Sequence, residues 1–365
     1  MFCGEFCHWL PRIASHLRVR PCVIRNHCAS VHETDRNCSS HRRSTTSDGS
    51  IDHGSRGSRR LSSPCSSHTS SPRLNMSRRP PYEPWRETSG EFRWRLGVRP
   101  LDLRNWIEID DHVEAELEAK ANIMASHPAT AFCALDGTED AAQEVLDELV
   151  SHLHAEHPEF AKTVVVDEAL HPLDAAGRIV QEDLVLMVER DNRLVFGAGS
   201  VCFPNRWDLQ SKLGLTMSEV HEPVALLNEQ LGPVIDNVLD RLTPERPMWR
   251  LGWGVIDTDD LYQAVDGTAA ARPVDAPPSA HHLRIERETL RRLPKTNCVL
   301  FTIRTHQMPL PELVGVDPTS ASALADAIES MPEPIAGYKQ LTVSGQRIAD
   351  WLRSNDEHCL TFEHE

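Results

Sequence analysis

The chain reads as an α+β protein, and three observations predict it. Two apolar runs, "EDLVLMVE" and "RLVFGAGSVCF", flank Asp191-Asn192, a dipeptide suited to a tight hairpin. Strand-like runs return later in "MWRLGWGVI", "HHLRIERETL" and "CVLFTIRTH". Between the two groups lie helical pieces, "RWDLQSKLG", "TMSEVHE" and "LNEQLGPVIDNVLDRL", broken at Gly214 and Pro223. Two strands, a helix cluster and three strands is the order of a PAS-like antiparallel five-stranded sheet with helices on one face. Such folds often enclose a ligand between sheet and helices.

The flanks follow the same logic. "PYEPWRETSGEFRWRLGVRPLDLRNWIEID" is rich in Pro, Trp and Arg with little helical period, and predicts an extended arm packing aromatics on a body. "DDHVEAELEAKANIMA" has acids first and apolar residues at helical spacing. A second helix is predicted in "TEDAAQEVLDELVSHLHAEH", opened by Thr138 with acids in its first turn. Helices in "PTSASALADAIESM" and "SGQRIADWLR" close the chain. The resulting division is a leader over 1–75, an arm and helices over 76–160, a PAS-like core over 161–310 and a C-terminal helical segment over 311–365.

Residues 1–75 carry 11 Arg, no Lys, 5 acidic residues, 15 Ser and six of the ten Cys. That composition fits a transit peptide, a disordered extension, or a start placed upstream of Met76. The remaining residues 76–365 hold 27 basic and 49 acidic residues, a formal charge of −22. An acidic body lacks the Lys and Arg that neutralise phosphate, which argues against nucleic-acid binding and suits a basic protein partner. No apolar run approaches a membrane span, so a soluble protein is expected. Cys133, Cys202, Cys298 and Cys359 are widely separated, which predicts a reducing compartment without a disulfide framework. The expected location is cytoplasmic, or mitochondrial if the leader is a transit peptide.

Walker, GxSxG, HExxH and CxxCH motifs are missing, as is a cysteine set for an iron–sulfur cluster. "GAGS" at 197–200 is followed by strand rather than helix, which argues against a dinucleotide loop. His152, His154 and His157 splay over more than one helical face and read as a solvated helix end. His281 and His282 open a strand, where their rings point to opposite faces. Two constellations remain. His221 lies in the helical segment between the second and third strands, where such a sheet faces its cavity. A neutral imidazole there is either an axial haem ligand or a helix-terminal side chain satisfied by a carbonyl. In "RIERETLRRLPKT", a strand puts Arg284, Glu286 and Glu288 on one face, either as a salt-bridge ladder at a sheet edge or as partners for a charged ligand.

These stretches together carry a resemblance. "VQEDLVLM", "CFPNRWDLQSKLGLTMSEVHEPV" and "RIERETLRRLPKTNCVLFTIRT" occur in the order seen in the haem-dependent oxidative N-demethylase family, and the sequence resembles its haem-binding alpha subunit over most of residues 80–355. The resemblance implies a PAS-like domain that binds haem b and uses O2 to oxidise a small secondary amine, releasing formaldehyde. It also implies a separate reductase that passes electrons from NAD(P)H through a flavin and an iron–sulfur cluster. On that basis His221 is the expected iron ligand, and Arg206 and Arg284 are the expected cofactor contacts. Glu286 and Trp207 are the catalytic candidates, Glu286 by pairing with the cationic amine. Phe203, Trp207 and Trp253 are expected to form a dry wall. A non-catalytic haem-binding or small-ligand sensor is the alternative. The sequence departs from the family pattern at 225–227, at 252–254, at Glu288, and at His306, where a histidine for a tyrosine either changes the pocket or moves the iron ligand.

Overall fold

The computed structural model describes residues 79–87, 91–265 and 276–360. The expectations for residues 1–75 lie outside the described residues. A short strand β1 (Arg99–Pro100) follows the arm and precedes α1 (Val113–Ser126), α2 (Pro128–Ala131) and β2 (Phe132–Ala134). Then come α3 (Glu139–Glu156), α4 (Pro158–Ala161), α5 (Pro172–Gly177) and the hairpin β3 (Asp183–Arg190) and β4 (Arg193–Ser200). Helices α6 (Met217–Val220) and α7 (Leu227–Arg241) lead to β5 (Met248–Ile256), β6 (His282–Arg292) and β7 (Val299–Pro309). Four helices follow: α8 (Leu310–Val316), α9 (Pro318–Glu329), α10 (Glu333–Tyr338) and α11 (Gly345–Leu360).

All strands join one antiparallel sheet in the order β1-β5-β6-β7-β3-β4-β2. The sheet therefore has seven strands, not five. The five predicted strands are its central members, and the additions β1 and β2 are two and three residues long, too short to show an alternating pattern. The Asp191-Asn192 turn is as expected, with φ of 52° and 59° at its two residues. "RWDLQSKLG" is mostly irregular, with only a 3₁₀ turn at Gln210–Lys212. Thr138 precedes α3 but donates its hydroxyl to Leu135 O at 2.8 Å instead of capping the helix.

Helices cover both faces of the sheet, which corrects the expectation of one. On one face, Leu149 and Leu153 of α3 and Leu173 of α5 pack with Leu184, Leu186 and Leu300. On the other, Ile235 and Leu239 of α7 pack with Val185, Met187 and Val299. Residues 183–188 are buried without a break, and the apolar run "LVLMV" already signals a strand covered on both sides. Helices α9 and α11 close a third cluster over Leu283 and Ile285. Among the described residues no helix is long and apolar enough to cross a membrane.

One buried ion pair fixes where the chain leaves β4. Lys120 of α1 is fully buried and donates to Val180 O at 2.9 Å and to Glu182 O at 2.5 Å, with Asp183 Oδ1 at 3.8 Å. Asp183 in turn accepts from the backbone N–H of Cys202 and of Phe203, both at 2.8 Å. Removing the lysine strands a buried carboxylate and two carbonyls. Lys120→Met is therefore expected to cost about 3–5 kcal/mol, read as a lower urea midpoint; an unchanged midpoint contradicts this role.

Candidate functional site

Strand β6 lies between β5 and β7, so its charged face is not at a sheet edge. Pairing aligns Arg284, Glu286 and Glu288 with Gly254, Gly252 and Arg250 of β5, and with Gln307, Thr305 and Ile303 of β7. Residues directly paired across an antiparallel ladder share a face. The two glycines make room there. A Cβ at residue 252 would stand 3.3 Å from Glu288 Oε1 and 3.6 Å from Glu286 Oε2, whereas one at residue 254 would meet nothing within 4 Å. Leu290, Phe301 and Ile303 on this same face are only partly buried although their strands are internal. The result is a recess in the middle of the sheet, beneath the α6–α7 segment.

The charges in the recess are paired. Arg284 Nε donates to Glu286 Oε1 at 2.7 Å, and Arg250 Nε stands 3.3 Å from Glu288 Oε2. Arg284 also donates to Phe203 O at 2.6 Å and to Thr305 Oγ1 at 3.1 Å, while its Nη1 is buried without a hydrogen-bond partner. Phe203 is thus held at its N–H by Asp183 and at its carbonyl by Arg284. Burial lifts the Glu288 carboxyl to about 7, against the pull of Arg250 and with a push from Glu286. Sequence reasoning placed Glu288 on this face but gave it no role, and it missed Arg250. The signal was the alternation Arg250-Gly252-Gly254 opposite three charged residues.

His221 caps the C-terminus of α6, a single turn begun by a capping box between Thr216 and Glu219. Its Nδ1 is buried and makes no hydrogen bond, so the carbonyl partner of the simpler reading is not found there. Burial, with Arg250 and Lys212 adding to it, holds the imidazole down to about 4. It is neutral at physiological pH and keeps a lone pair for a metal. Arg250, which pairs with Glu288 and opposes protonation of His221, links the two constellations. Trp207 packs into the same apolar cluster as Val220, Val224, Leu290 and Phe301.

Other expected residues lie apart. Arg206, in the left-handed region at φ 60°, directs its guanidinium to Asp257 and Gln340. The Phe203 ring faces Lys120, 6.0 Å from its ammonium, and Trp253 turns edge-on to Trp85 and Phe92. Of the expected dry wall, only Trp207 joins the cluster over the recess. His306 pairs with Ile285, on the opposite face from Glu286, and its Nε2 lies 3.0 Å from Glu108 Oε2. Strand alternation removes it as a second iron ligand at this recess. His152 and His157 are not a solvated helix end. Trp106 and His157 both pack on the His152 ring, at 5.3 Å and 5.7 Å between centroids. Among the described residues no three His, Cys, Asp or Glu side chains form a metal-binding group.

The raised pKa of the Glu288 carboxyl has a stability consequence. Its native value of about 7 lies above the ordinary 4.5, so the native state holds the proton longer than the unfolded chain. The stabilising contribution is full below about pH 4.5 and is lost as pH rises through about 7. Glu288→Gln should therefore flatten the decline between pH 5 and 8, measured by urea midpoints. An unchanged slope contradicts the burial of this carboxyl.

The model of one protein family, described as "Haem-dependent oxidative N-demethylase, alpha subunit-like", matches residues 97–349. That span takes in the sheet, the recess and every candidate residue above, and more than two thirds of the chain. The chain belongs to the haem-dependent oxidative N-demethylase, alpha subunit-like family.

Proposed function

We propose that this chain is a haem-dependent oxidative N-demethylase acting on a small secondary methylamine, in which His221 would hold the iron of haem b. The observation that carries the reading is the buried, neutral His221 imidazole whose Nδ1 has no hydrogen bond, beside a recess opened by Gly252 and Gly254. The order of the five central strands supports a PAS-like description of the fold. The residues present fit the group. His221 supplies a lone pair, Arg284 an unpartnered cationic N–H, and Leu290, Phe301 and Trp207 an apolar wall. Arg206 would contact a propionate only by sharing or releasing Asp257.

Haem, when bound, supplies the oxidation chemistry with O2. The overall reaction takes one methylamine group, O2, two electrons and two protons to the demethylated amine, formaldehyde and water. The protein's part is recognition, proton handling and exclusion of water. Glu286, held at one oxygen by Arg284, offers its carboxylate to the amine N–H groups. Glu288 exchanges a proton at its carboxyl near neutral pH, and so takes up or gives one without a large change in energy. Trp207 and the α6–α7 segment cover the recess. Electrons would come from NAD(P)H through a separate flavin and iron–sulfur reductase, docked on the acidic body.

Two measurements test this. Replacing His221 by Ala should abolish the Soret band of protein made with ample haem, or shift it strongly; an identical spectrum removes His221 as ligand. For Glu286→Gln, the loss of a charge-assisted contact worth about 1.5–3 kcal/mol predicts a KM for the amine raised on the order of 10–100-fold. The amine's KM is read from O2 consumption, and an unchanged KM removes Glu286 from recognition. Stoichiometric haem without amine-dependent O2 consumption would favour the non-catalytic binding or sensor reading.

A further inference from the structure

Beyond its pairing with β1 at residues 248 and 249, strand β5 has no strand on its outer side among the described residues. Lys339, the C-cap of α10, lies against that open edge. Its ammonium donates to Trp253 O at 2.6 Å and stands 5.2 Å from the ring centre of Trp94 and 5.3 Å from that of Trp253. Glu286 on β6 is close enough to attract the charge, and Arg250 on β5 to oppose it. Trp94 is itself fixed, with Nε1 donating to Ala225 O at 2.8 Å and its N–H to Gln230 Oε1 at 3.0 Å. Two indole rings, one carbonyl and a nearby carboxylate form a complete recognition set for an ammonium ion. The cavity that Trp94, Trp253 and Lys339 line is also lined by Arg250 and Gly252, so it adjoins the recess that holds Glu286 and Glu288.

We infer that the Trp94–Trp253 box is a binding subsite for an alkylammonium ion, filled here by the ammonium of Lys339 acting as a tethered occupant. An incoming cation gains the box when Lys339 leaves it. The lysine sits at the end of α10 on a flexible stem, and the next residue, Gln340, is in the left-handed region at φ 58°. Burial also weakens its hold on a proton, a loss that a tetraalkylammonium ion cannot suffer. The box therefore selects a charged amine ahead of the recess, where Glu286 would receive it. This inference rests on the amine reading for its substrate class, but the box itself does not depend on haem.

The test is calorimetric titration of the full chain with tetramethylammonium, comparing the unaltered protein with Lys339→Ala and with Lys339→Gln, which keeps a donor for Trp253 O. Each chain is first checked for folding by its thermal midpoint. Removing the lysine ammonium from the box should raise tetramethylammonium affinity at least 10-fold in both variants, and adding Trp94→Leu to Lys339→Ala should abolish the gain. Equal affinity in variant and unaltered chains, or a gain that survives Trp94→Leu, overturns the subsite. Cation binding without amine oxidation would leave the subsite standing and remove the demethylase reading. Amine oxidation with no cation bound in either folded Lys339 variant would remove the subsite alone.

Discussion

A row of charged side chains on an interior strand is the constraint around which this protein is built. Arg284, Glu286 and Glu288 project from β6 into a face that the fold otherwise covers, and an unpaired charge there is far costlier than a paired one. The sheet answers with Arg250 from β5, with Thr305 from β7, and with Phe203 O from the loop after β4. That loop carries the demand outward. Phe203 N is tied to Asp183, Asp183 faces Lys120, and Lys120 is pinned by carbonyls at 180 and 182. The position of a helix far upstream is thereby coupled to the geometry of two carboxylates.

The opposite face repeats the pattern with different partners. Arg287 and Arg304 reach Glu108, Asp110 and Glu116, while Tyr82 donates to Glu108 and His306 bonds it. Glu108 and Asp110 are held ionised there: burial opposes both, but His306, Arg287 and Tyr82 outweigh it at Glu108, and Arg304 and Gln181 at Asp110, while burial lifts the neighbouring Glu182 to about 7. On the recess face burial likewise outweighs the pull of Arg250, and Glu288 is lifted to about 7. One strand therefore separates an ionic network, which ties Tyr82 of the arm to the sheet, from the recess that carries Glu286 and Glu288. Room decides the difference. Gly252 and Gly254 remove side chains from the recess face, whereas Trp253 and Leu251 fill the other.

Much of this was legible in sequence. Strict alternation in "RIERET" placed three charges on one face, and the continuous apolar run in β3 carried the signal for cover on both sides. The helix break at Pro223 and the short α6 put His221 at a helix end, as expected. The rest depended on contacts that no local pattern encodes. Arg206 reads as a ligand contact until Asp257 and Gln340 are seen to hold it. Trp253 reads as a pocket wall, but strand parity turns it away from Glu286. His306 reads as a rival ligand for the same reason, and parity again removes it. Lys339 and Trp94 are more than two hundred residues apart in sequence, and nothing in either neighbourhood predicts that one would cage the other.

The central claim is that the recess beside His221 holds haem. The most direct measurement is the absorption spectrum of the full chain purified with haem supplied, oxidised and dithionite-reduced, with haem counted per chain. The account predicts a strong Soret band, about one haem per chain, and a shift on reduction. A folded chain that takes up no haem would contradict it.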